Sequence, residues 1–330
     1  MKIVLAEKVY DAGRYHAWTD LAVFKGKYYL AFRTGAMHTS GDGVAEILQS
    51  PDGLRWTHCA KGVFKYGDEC SPLLAATPDR LYMFLHCTWF DPETCAHKTQ
   101  PLMFHTDNGD WWSGPFPYLP KGYQIWRPKY HSGCFYATGY RQTGETEGGS
   151  RSDLFSSCDG RKWELIHSIG EVHPRTNETE LAFAPDGEMV ALIRCEAGRP
   201  EQGKDNPACS YLGRAKSPYR QWRYTQGPFV GGPLLVWWKG QLLAIGRTYL
   251  NPDQRIAPWD TTDRTMVCRV VGDRLERRLI LPGGGDSSYA GAVELPNGNL
   301  LVSYYSSQEF AADPKTRLRR SAIYLAEIEP

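Results

Sequence analysis

The chain contains one stretch in which a carboxylate and a guanidinium flank the same predicted hairpin. Residues 177–194 read NETELAFAPDGEMVALIR, which is an alternating apolar segment, a Pro-Asp-Gly turn signal and a second apolar run. Glu178 lies nine residues before Gly187, and Arg194 lies seven residues after it. Both side chains are therefore expected at one edge of a two-stranded ribbon. A carboxylate can accept a proton and a guanidinium can pair with an anion, so this edge is a candidate site for both kinds of chemistry.

The same pattern recurs along the chain and predicts the fold. Six hairpins are expected, and their turns lie at Gly26, Arg80, Gly133, Gly187, Gly240 and Gly298. A period of roughly fifty to sixty residues with several strands per unit is typical of a β-propeller. We predict an all-β chain that forms a single six-bladed β-propeller domain over residues 1–330. The first and last segments, MKIVLAEKVY and SAIYLAEIEP, both alternate, so we expect the N- and C-terminal strands to pair and close the ring.

A second motif is predicted to be structural. Ser-x-Asp-Gly-x-x-Trp occurs at residues 50–56 and 157–163, in a looser form at 105–112 and in a degenerate form at 217–222. In a turn between the third and fourth strands of a blade, the Asp would accept backbone N–H bonds, the Gly would take a positive φ and the Trp would fill the gap between sheets. We therefore expect Asp52, Asp107 and Asp159 to have no catalytic role.

Composition excludes several classes of function. The net charge is +1 over 330 residues, so bulk charge does not indicate nucleic acid or a membrane surface as partner. No apolar run is long enough for a membrane span, and the N-terminus lacks the apolar segment of a signal peptide. We predict a cytoplasmic protein, although a trimmed secreted form would look the same. The nine cysteines are scattered, and no spacing typical of zinc, EF-hand or P-loop sites occurs. We therefore expect no metal and no cofactor.

With these motifs, the chain resembles the sialidase (neuraminidase) superfamily, whose members are six-bladed propellers and exo-acting glycosidases. The resemblance rests on the Asp-box turns, on NETELAFAPDGEMVALIR and on SSYAGAVELPNGNLLVSYY. It implies that Glu178 begins the inner strand of blade four and that Arg194, sixteen residues later, ends the next strand. It also implies that Tyr289 is the nucleophile, that Glu178 is its base, and that Asp42, in the loop before the first Asp-box, is the general acid.

The chain departs from this family at the arginines that clamp the substrate carboxylate. The first family arginine would fall at His16 or Ala17, and the third at Gly231 and Gly232. Arg33 and Arg247 instead end the second strands of blades one and five, and Arg127 enters from blade three. On this interpretation the arginine set is rebuilt from other blades, and the substrate need not be a common sialic acid.

The expected site lies where the inner strands converge at the mouth of the central channel. Several arginines there would favour an anionic sugar, and a neutral tyrosine would approach such a sugar with less charge repulsion than a carboxylate. The predicted substrate-binding residues are Arg194, Arg247, Arg33, Arg127, His38, Trp18, Glu180 and Glu69. Glu180 is an alternative catalytic carboxylate, Glu69 an alternative acid, and structural ion pairs are the competing role for the arginines.

These residues predict an exo-acting glycoside hydrolase that releases a terminal acidic sugar, a sialic acid or a related nonulosonate. The expected partner is a small molecule or oligosaccharide that carries a carboxylate. Two alternatives stay open. One is a non-catalytic glycan-binding propeller. The other is a lyase or rhamnosidase acting on uronate-containing glycans, for which His16 and His38 would supply the acid or base.

Overall fold

The six predicted hairpins form the inner two strands of six four-stranded antiparallel sheets. The computed structural model describes residues 1–61, 67–142, 149–196, 208–249, 263–310 and 320–330. Within these ranges the chain is a six-bladed β-propeller, as the repeat predicts. The one helix in the described residues is a 3₁₀ turn at Ile169–Val172, and no helix there is long and apolar enough to cross a membrane.

The strands follow one another from the inside of each blade outwards. The first strand and blade one are β1 (Lys2–Tyr10), β2 (Tyr15–Phe24), β3 (Lys27–Gly35), β4 (Val44–Ser50) and β5 (Thr57–Lys61). Blade two is β6 (Asp68–Ala76), β7 (Leu81–Asp91), β8 (Ala96–Thr106) and β9 (Ser113–Pro117). Blade three is β10 (Gln124–His131), β11 (Cys134–Gln142), β12 (Ser150–Ser157) and β13 (Glu164–His167).

The second half repeats this order. Blade four is β14 (Thr176–Phe183), β15 (Met189–Cys195), β16 (Cys209–Ala215) and β17 (Arg223–Gly227). Blade five is β18 (Gly231–Trp238), β19 (Gln241–Tyr249), β20 (Asp263–Val271) and β21 (Arg274–Ile280). Blade six is β22 (Ser287–Glu294), β23 (Leu300–Ser306) and β24 (Ala322–Glu329), completed by β1.

The N- and C-terminal strands close the ring, as predicted. β1 pairs antiparallel with β24, from Lys2 opposite Glu329 to Tyr10 opposite Ile323. This pairing places the N-terminal strand at the outer edge of a blade whose other three strands come from the C-terminus. Main-chain hydrogen bonds between the two ends of the chain therefore hold the last blade together and close the ring.

Hydrophobic burial follows from the position of each strand in its blade. The second strands lie between two neighbouring blades, so both of their faces are covered and their sequences are continuous apolar runs. Residues 189–193 of β15, MVALI, are all fully buried. The outermost strands β9, β17 and β21 are largely exposed. The core is thus a set of apolar layers between blades, which leaves the axis and the channel mouth to polar groups.

The Ser-x-Asp-Gly turns have the geometry expected of them. In the first, Asp52 accepts the N–H groups of Leu54 and Arg55 at 3.0 and 2.9 Å. Gly53 has a φ of 78°, and the Trp56 indole donates to the Gly53 carbonyl at 3.1 Å. The copy at residues 157–163 repeats these contacts. Both carboxylates are occupied by the turn, which agrees with a structural role.

The looser copy of this motif makes the same kind of turn contacts with a different residue. At residues 105–112 the acceptor is Asn108, which takes the N–H groups of Asp110 and Trp111 at 2.9 and 3.1 Å. Asp107, expected in this role, instead pairs with Arg80 at 2.5 Å. The prediction for Asp107 was therefore one residue out, because an amide oxygen accepts these bonds as well as a carboxylate does.

All six inner strands carry a β-bulge at the same level. In each, two residues face one residue of the second strand, at positions 18–19, 71–72, 127–128, 177–178, 232–233 and 289–290. The first bulge residue has positive φ in four blades, at Trp18 (58°), Ser71 (49°), Gly232 (56°) and Tyr289 (52°). Because a bulge bends its strand and re-aims the side chain, these positions can point to the channel mouth.

Candidate active site

Tyr289 and Glu178 meet at the channel mouth, from blades six and four. The Tyr289 hydroxyl donates a hydrogen bond of 2.6 Å to Glu178 Oε1, and both residues are 7% exposed. Burial, with the Glu178 carboxylate, raises the pKa of Tyr289 far above its ordinary value despite the nearby guanidinium groups of Arg194 and Arg247. The phenol is therefore neutral at physiological pH, and its proton already forms a hydrogen bond to a carboxylate that can accept it.

Glu178 is fixed by two further donors. Its second oxygen, Oε2, forms an ion pair with Arg194 and accepts the Gly232 N–H at 3.2 Å. Arg194 Nη1 also lies 3.0 Å from the Tyr289 hydroxyl. Only glycine fits at position 232, because an added Cβ would lie 2.8 Å from the Tyr289 ring. The sequence spacing that singled out Glu178, Arg194 and Tyr289 thus corresponds to a single contact cluster.

A cavity of about 520 Å³ opens beside this pair, within the usual range of ligand sites. Besides Glu178 and Tyr289, its lining includes Trp18, His38, Asp68, Trp89, Phe90 and Gln124. Five of the six blades contribute to this lining, so the cavity depends on the closed ring. It can hold a ligand against the phenol and the carboxylate.

His38 lines the same cavity and is held by a buried carboxylate. Its Nδ1 lies 2.6 Å from the Tyr15 hydroxyl and 3.2 Å from Asp286 Oδ2. Tyr15 donates its single hydroxyl hydrogen to Asp286, so His38 Nδ1 carries the hydrogen of its own contacts. Burial raises the pKa of Asp286, but Arg247, His38 and Tyr15 lower it to a net value of about 2. Asp286 therefore stays ionised and orients the imidazole.

Sequence reasoning missed Asp286, Tyr15 and Tyr305. Asp286 Oδ1 accepts bonds from the Tyr305 hydroxyl at 2.7 Å and from Arg247 Nη2 at 2.8 Å. Asp286 follows three glycines, residues 283–285, and no motif in the sequence singles it out. A usable signal was its place immediately before β22, three residues ahead of Tyr289.

The Trp18 ring lies close to the rings of both His38 and Tyr289. Its ring centroid is 5.1 Å from that of His38 and 6.4 Å from that of Tyr289. The bulge in β2 turns this side chain into the cavity lining. Trp18, one of the predicted substrate-binding residues, is therefore part of the cavity lining.

None of the four predicted substrate-binding arginines lines the cavity, and three of them are buried in ion pairs between blades. Arg33 is fully buried and pairs with Asp68 at 2.5 Å. Arg127 is 2% exposed and pairs with Asp20 at 2.5 Å. Arg247, 6% exposed, donates to Asp286 and to the carbonyl of residue 287. Each of these three guanidinium groups therefore links blades. Arg247 also lies over the Tyr289 ring, 5.4 Å from its centroid, and Arg194 is the one of the four that contacts the Tyr289 hydroxyl.

The three other predicted carboxylates also lie away from the cavity lining. Asp42 has a 48% exposed side chain that pairs with Arg14. Glu69 is fully buried and accepts the N–H of residue 45 at 2.8 Å. Glu180 is fully buried and pairs with Lys129 at 2.5 Å. Glu180, the alternative catalytic carboxylate, lies two residues beyond Glu178, which is itself part of the bulge at positions 177–178.

Comparison with known proteins shows the fold. No protein-family model matches the chain, and no curated protein does. A Dyadobacter fermentans protein of unknown function superposes with a TM-score of 0.77 at 18% identity, covering 99% of both chains. Trypanosoma rangeli sialidase, solved with the inhibitor DANA, gives a TM-score of 0.70 at 12% identity, covering 95% of this chain and 55% of that one.

An alpha-L-arabinofuranosidase of Fusarium graminearum, solved with an iminosugar inhibitor, gives a TM-score of 0.64 at 12% identity over 94% of this chain and 93% of that one. The chain thus spans about half the length of the trypanosome sialidase. The sialidase and the arabinofuranosidase are glycosidases, and at these identities the likeness is one of fold: a glycosidase-like six-bladed propeller.

Proposed function

We propose that the protein is a glycoside hydrolase that removes a terminal sugar, with Tyr289 and Glu178 at the reaction centre. The observation that carries this proposal is the 2.6 Å hydrogen bond from a buried phenol to a buried carboxylate at the edge of the cavity. The glycosidase-like fold supports it. Glycosidic bond cleavage requires a nucleophile, an acceptor for its proton and an acid for the leaving oxygen.

In the first step the Tyr289 oxygen attacks the anomeric carbon as the bond to the leaving oxygen breaks. The phenolic proton passes to Glu178 Oε1 over the existing hydrogen bond. Arg194 Nη1, 3.0 Å from the phenol oxygen, stabilises the negative charge that develops there. Water then cleaves the glycosyl–tyrosine bond and the proton returns to the phenol. This division of roles fits a phenol whose raised pKa makes it unreactive without a base.

For the general acid, the geometry favours His38 over Asp42. Both residues lie in the loop between β3 and β4, but His38 lines the cavity and Asp42 does not. Because Nδ1 faces Tyr15 and Asp286, the opposite ring nitrogen is the one that exchanges a proton with substrate. The ionised Asp286 stabilises the imidazolium that donates a proton to the leaving oxygen. Neutral His38 then takes a proton from the attacking water.

The test is turnover and trapping on a panel of glycosides, with wild type beside Tyr289→Phe. The matched control is Tyr304→Phe, which removes a hydroxyl in the neighbouring strand β23 that is buried without a hydrogen-bond partner. We expect Tyr289→Phe to lose about 10²-fold or more in kcat/KM and the control to keep wild-type activity. A 2-deoxy-2-fluoro glycosyl fluoride should leave its sugar on the peptide that contains Tyr289.

Other outcomes would overturn the proposal. An adduct on Glu178 would make the carboxylate the nucleophile. An unsaturated product that absorbs in the ultraviolet would indicate a lyase. Glycan binding without any product would leave a carbohydrate-binding propeller.

A further inference from the structure

The guanidinium groups around the reaction centre are already neutralised by the protein's own carboxylates. Arg33, Arg127 and Arg247 are at most 6% exposed, and each has an ion-pair partner from another strand. Arg194, which contacts the Tyr289 hydroxyl, is shared between Glu178 and Glu196. A substrate carboxylate would have to displace an internal one to gain a bidentate contact with any of them.

Among the described residues, the cavity lining offers an anionic ligand no lysine or arginine side chain. The acidic side chains in that part of the lining are Glu178 and Asp68. The rest consists of aromatic rings, histidines and neutral hydrogen-bonding groups such as Gln124 and Ser71. Both carboxylates already pair with internal arginines, Glu178 with Arg194 and Asp68 with Arg33, so an added carboxylate would lose its hydration without finding a lysine or arginine in the lining. An uncharged sugar would meet hydrogen-bond partners and apolar faces.

The wall of the cavity that blade two contributes is a hairpin rich in aromatic residues. β7 and β8 are 11 residues each, the longest strands described, and Trp89, Phe90 and His97 near their joined ends line the cavity. Phe90 is 55% exposed, and its ring lies edge-on to His97 with centroids 5.5 Å apart. An exposed phenylalanine that lines a polar cavity is a natural stacking surface for the apolar face of a sugar ring.

We infer that the cavity binds an uncharged oligosaccharide. Its terminal neutral sugar lies beside Tyr289 and Glu178, and the following sugar stacks on Phe90 of the β7–β8 hairpin. This inference rests on the proposed function for the orientation of the chain, but its binding claim is independent of turnover. It departs from the carboxylate-bearing sugar that the arginines suggest in the sequence, because those arginines have internal partners.

Binding to the Tyr289→Phe variant separates this inference from the proposed function. Calorimetric titration would compare neutral oligosaccharides with sialyl-terminated and uronyl-terminated oligosaccharides of equal length. We expect neutral chains to bind at least about tenfold more tightly, with an affinity that does not change between low and high salt. Neutral binding without turnover in wild type would support the inference and overturn the proposed function.

A second variant tests the aromatic wall. Phe90→Ala should weaken oligosaccharide binding by about tenfold and leave monosaccharide binding unchanged. Trp111→Ala is the control, because Trp111 is 81% exposed and does not line the cavity. Equal or tighter binding of the acidic chains would overturn the inference, as would a Phe90→Ala variant that binds the neutral oligosaccharide as wild type does.

Discussion

Replacing Arg127 by methionine would show whether this arginine holds the blades together or binds a ligand. Arg127 projects from β10 and donates to Asp20 of β2 at 2.5 Å and to the Ala290 carbonyl of β22 at 2.7 Å. Its Nε lies 3.5 Å from Glu180 of β14. One side chain therefore links four inner strands, at 2% exposure.

The expected loss of stability follows from what the substitution leaves behind. Methionine keeps most of the side-chain volume but removes the positive charge between two buried carboxylates. Leaving a buried charge without its partner typically costs about 3–5 kcal/mol. Glu180 retains Lys129 at 2.5 Å, and Asp20 retains the N–H groups of residues 21 and 74. We therefore expect a decrease in the free energy of unfolding near the lower limit, about 3 kcal/mol.

The same substitution should make the deficit depend on pH. Burial raises the pKa of Glu180, and the charges of Lys129 and Arg127 oppose that shift. Without Arg127 the folded-state pKa rises further above the unfolded value. A carboxyl with a raised folded pKa is tolerated below its unfolded pKa and destabilises as pH increases through the folded one. The difference between variant and wild type should thus be larger near pH 8 than near pH 5.

Urea unfolding followed by tryptophan fluorescence at both pH values would measure this. Arg55→Met is the matched control, since Arg55 is 81% exposed in its pair with Asp52 and such pairs contribute less than about 1 kcal/mol. If Arg127→Met unfolded at the wild-type urea concentration while losing glycan affinity, the structural reasoning would be refuted and the sequence-based substrate-binding role restored.

Three further predictions concern the site and its pH dependence. Gly232→Ala should lower kcat/KM by about 10²-fold, since its Cβ would press on the phenol ring at 2.8 Å; unchanged initial rates would contradict this. Asp42→Asn should change kcat/KM less than about twofold, whereas His38→Ala should lower it by about 10²; the reverse ranking would restore Asp42 as the acid. Burial lowers the pKa of His16 and His86 to about 4. As pH falls from about 6.5, these histidines therefore take up protons only in the unfolded chain, and each should lower the free energy of unfolding by up to about 3 kcal/mol. Urea midpoints that stay constant from pH 7 to pH 5 would exclude this effect.

The fold was predictable because its determinants are local and repeated. Each inner hairpin shows in the sequence as two apolar runs around a turn, and six repeats fix the number of blades. The pairing of β1 with β24 also followed, since two alternating segments at the chain ends had no other partners in the repeat. Within the site, the contact between Glu178 and Tyr289 joins a residue that the hairpin pattern singles out with one that the family resemblance implies.

Roles that depend on other blades were not predictable. Arg33, Arg194 and Arg247 each lie seven residues after a turn glycine, so the sequence gives them the same status. In the structure Arg194 faces the bulge of its inner strand, whereas Arg33 and Arg247 lie one residue beyond theirs. Their difference lies in the partner carboxylates: Asp68 comes from the next blade and Asp286 from the segment before β22. Likewise, the alternation of apolar and polar residues in the strands does not predict the conformation of the loop that places His38 in the cavity lining and leaves the Asp42 side chain half exposed.

The bulges explain why counting along strands works up to the site and fails beyond it. Glu178 lies within the bulge and contacts Tyr289, whereas Glu180 lies two residues further along the strand and contacts Lys129, so two carboxylates of one strand have different environments. The positive φ at Trp18 and Tyr289 costs about 1–3 kcal/mol for each of these bulky residues, and it persists only where the surrounding structure imposes it. Here the surroundings are the neighbouring blades. The ring thus fixes six re-aimed positions at one level, and the residue types at those positions decide which chemistry the channel mouth can perform.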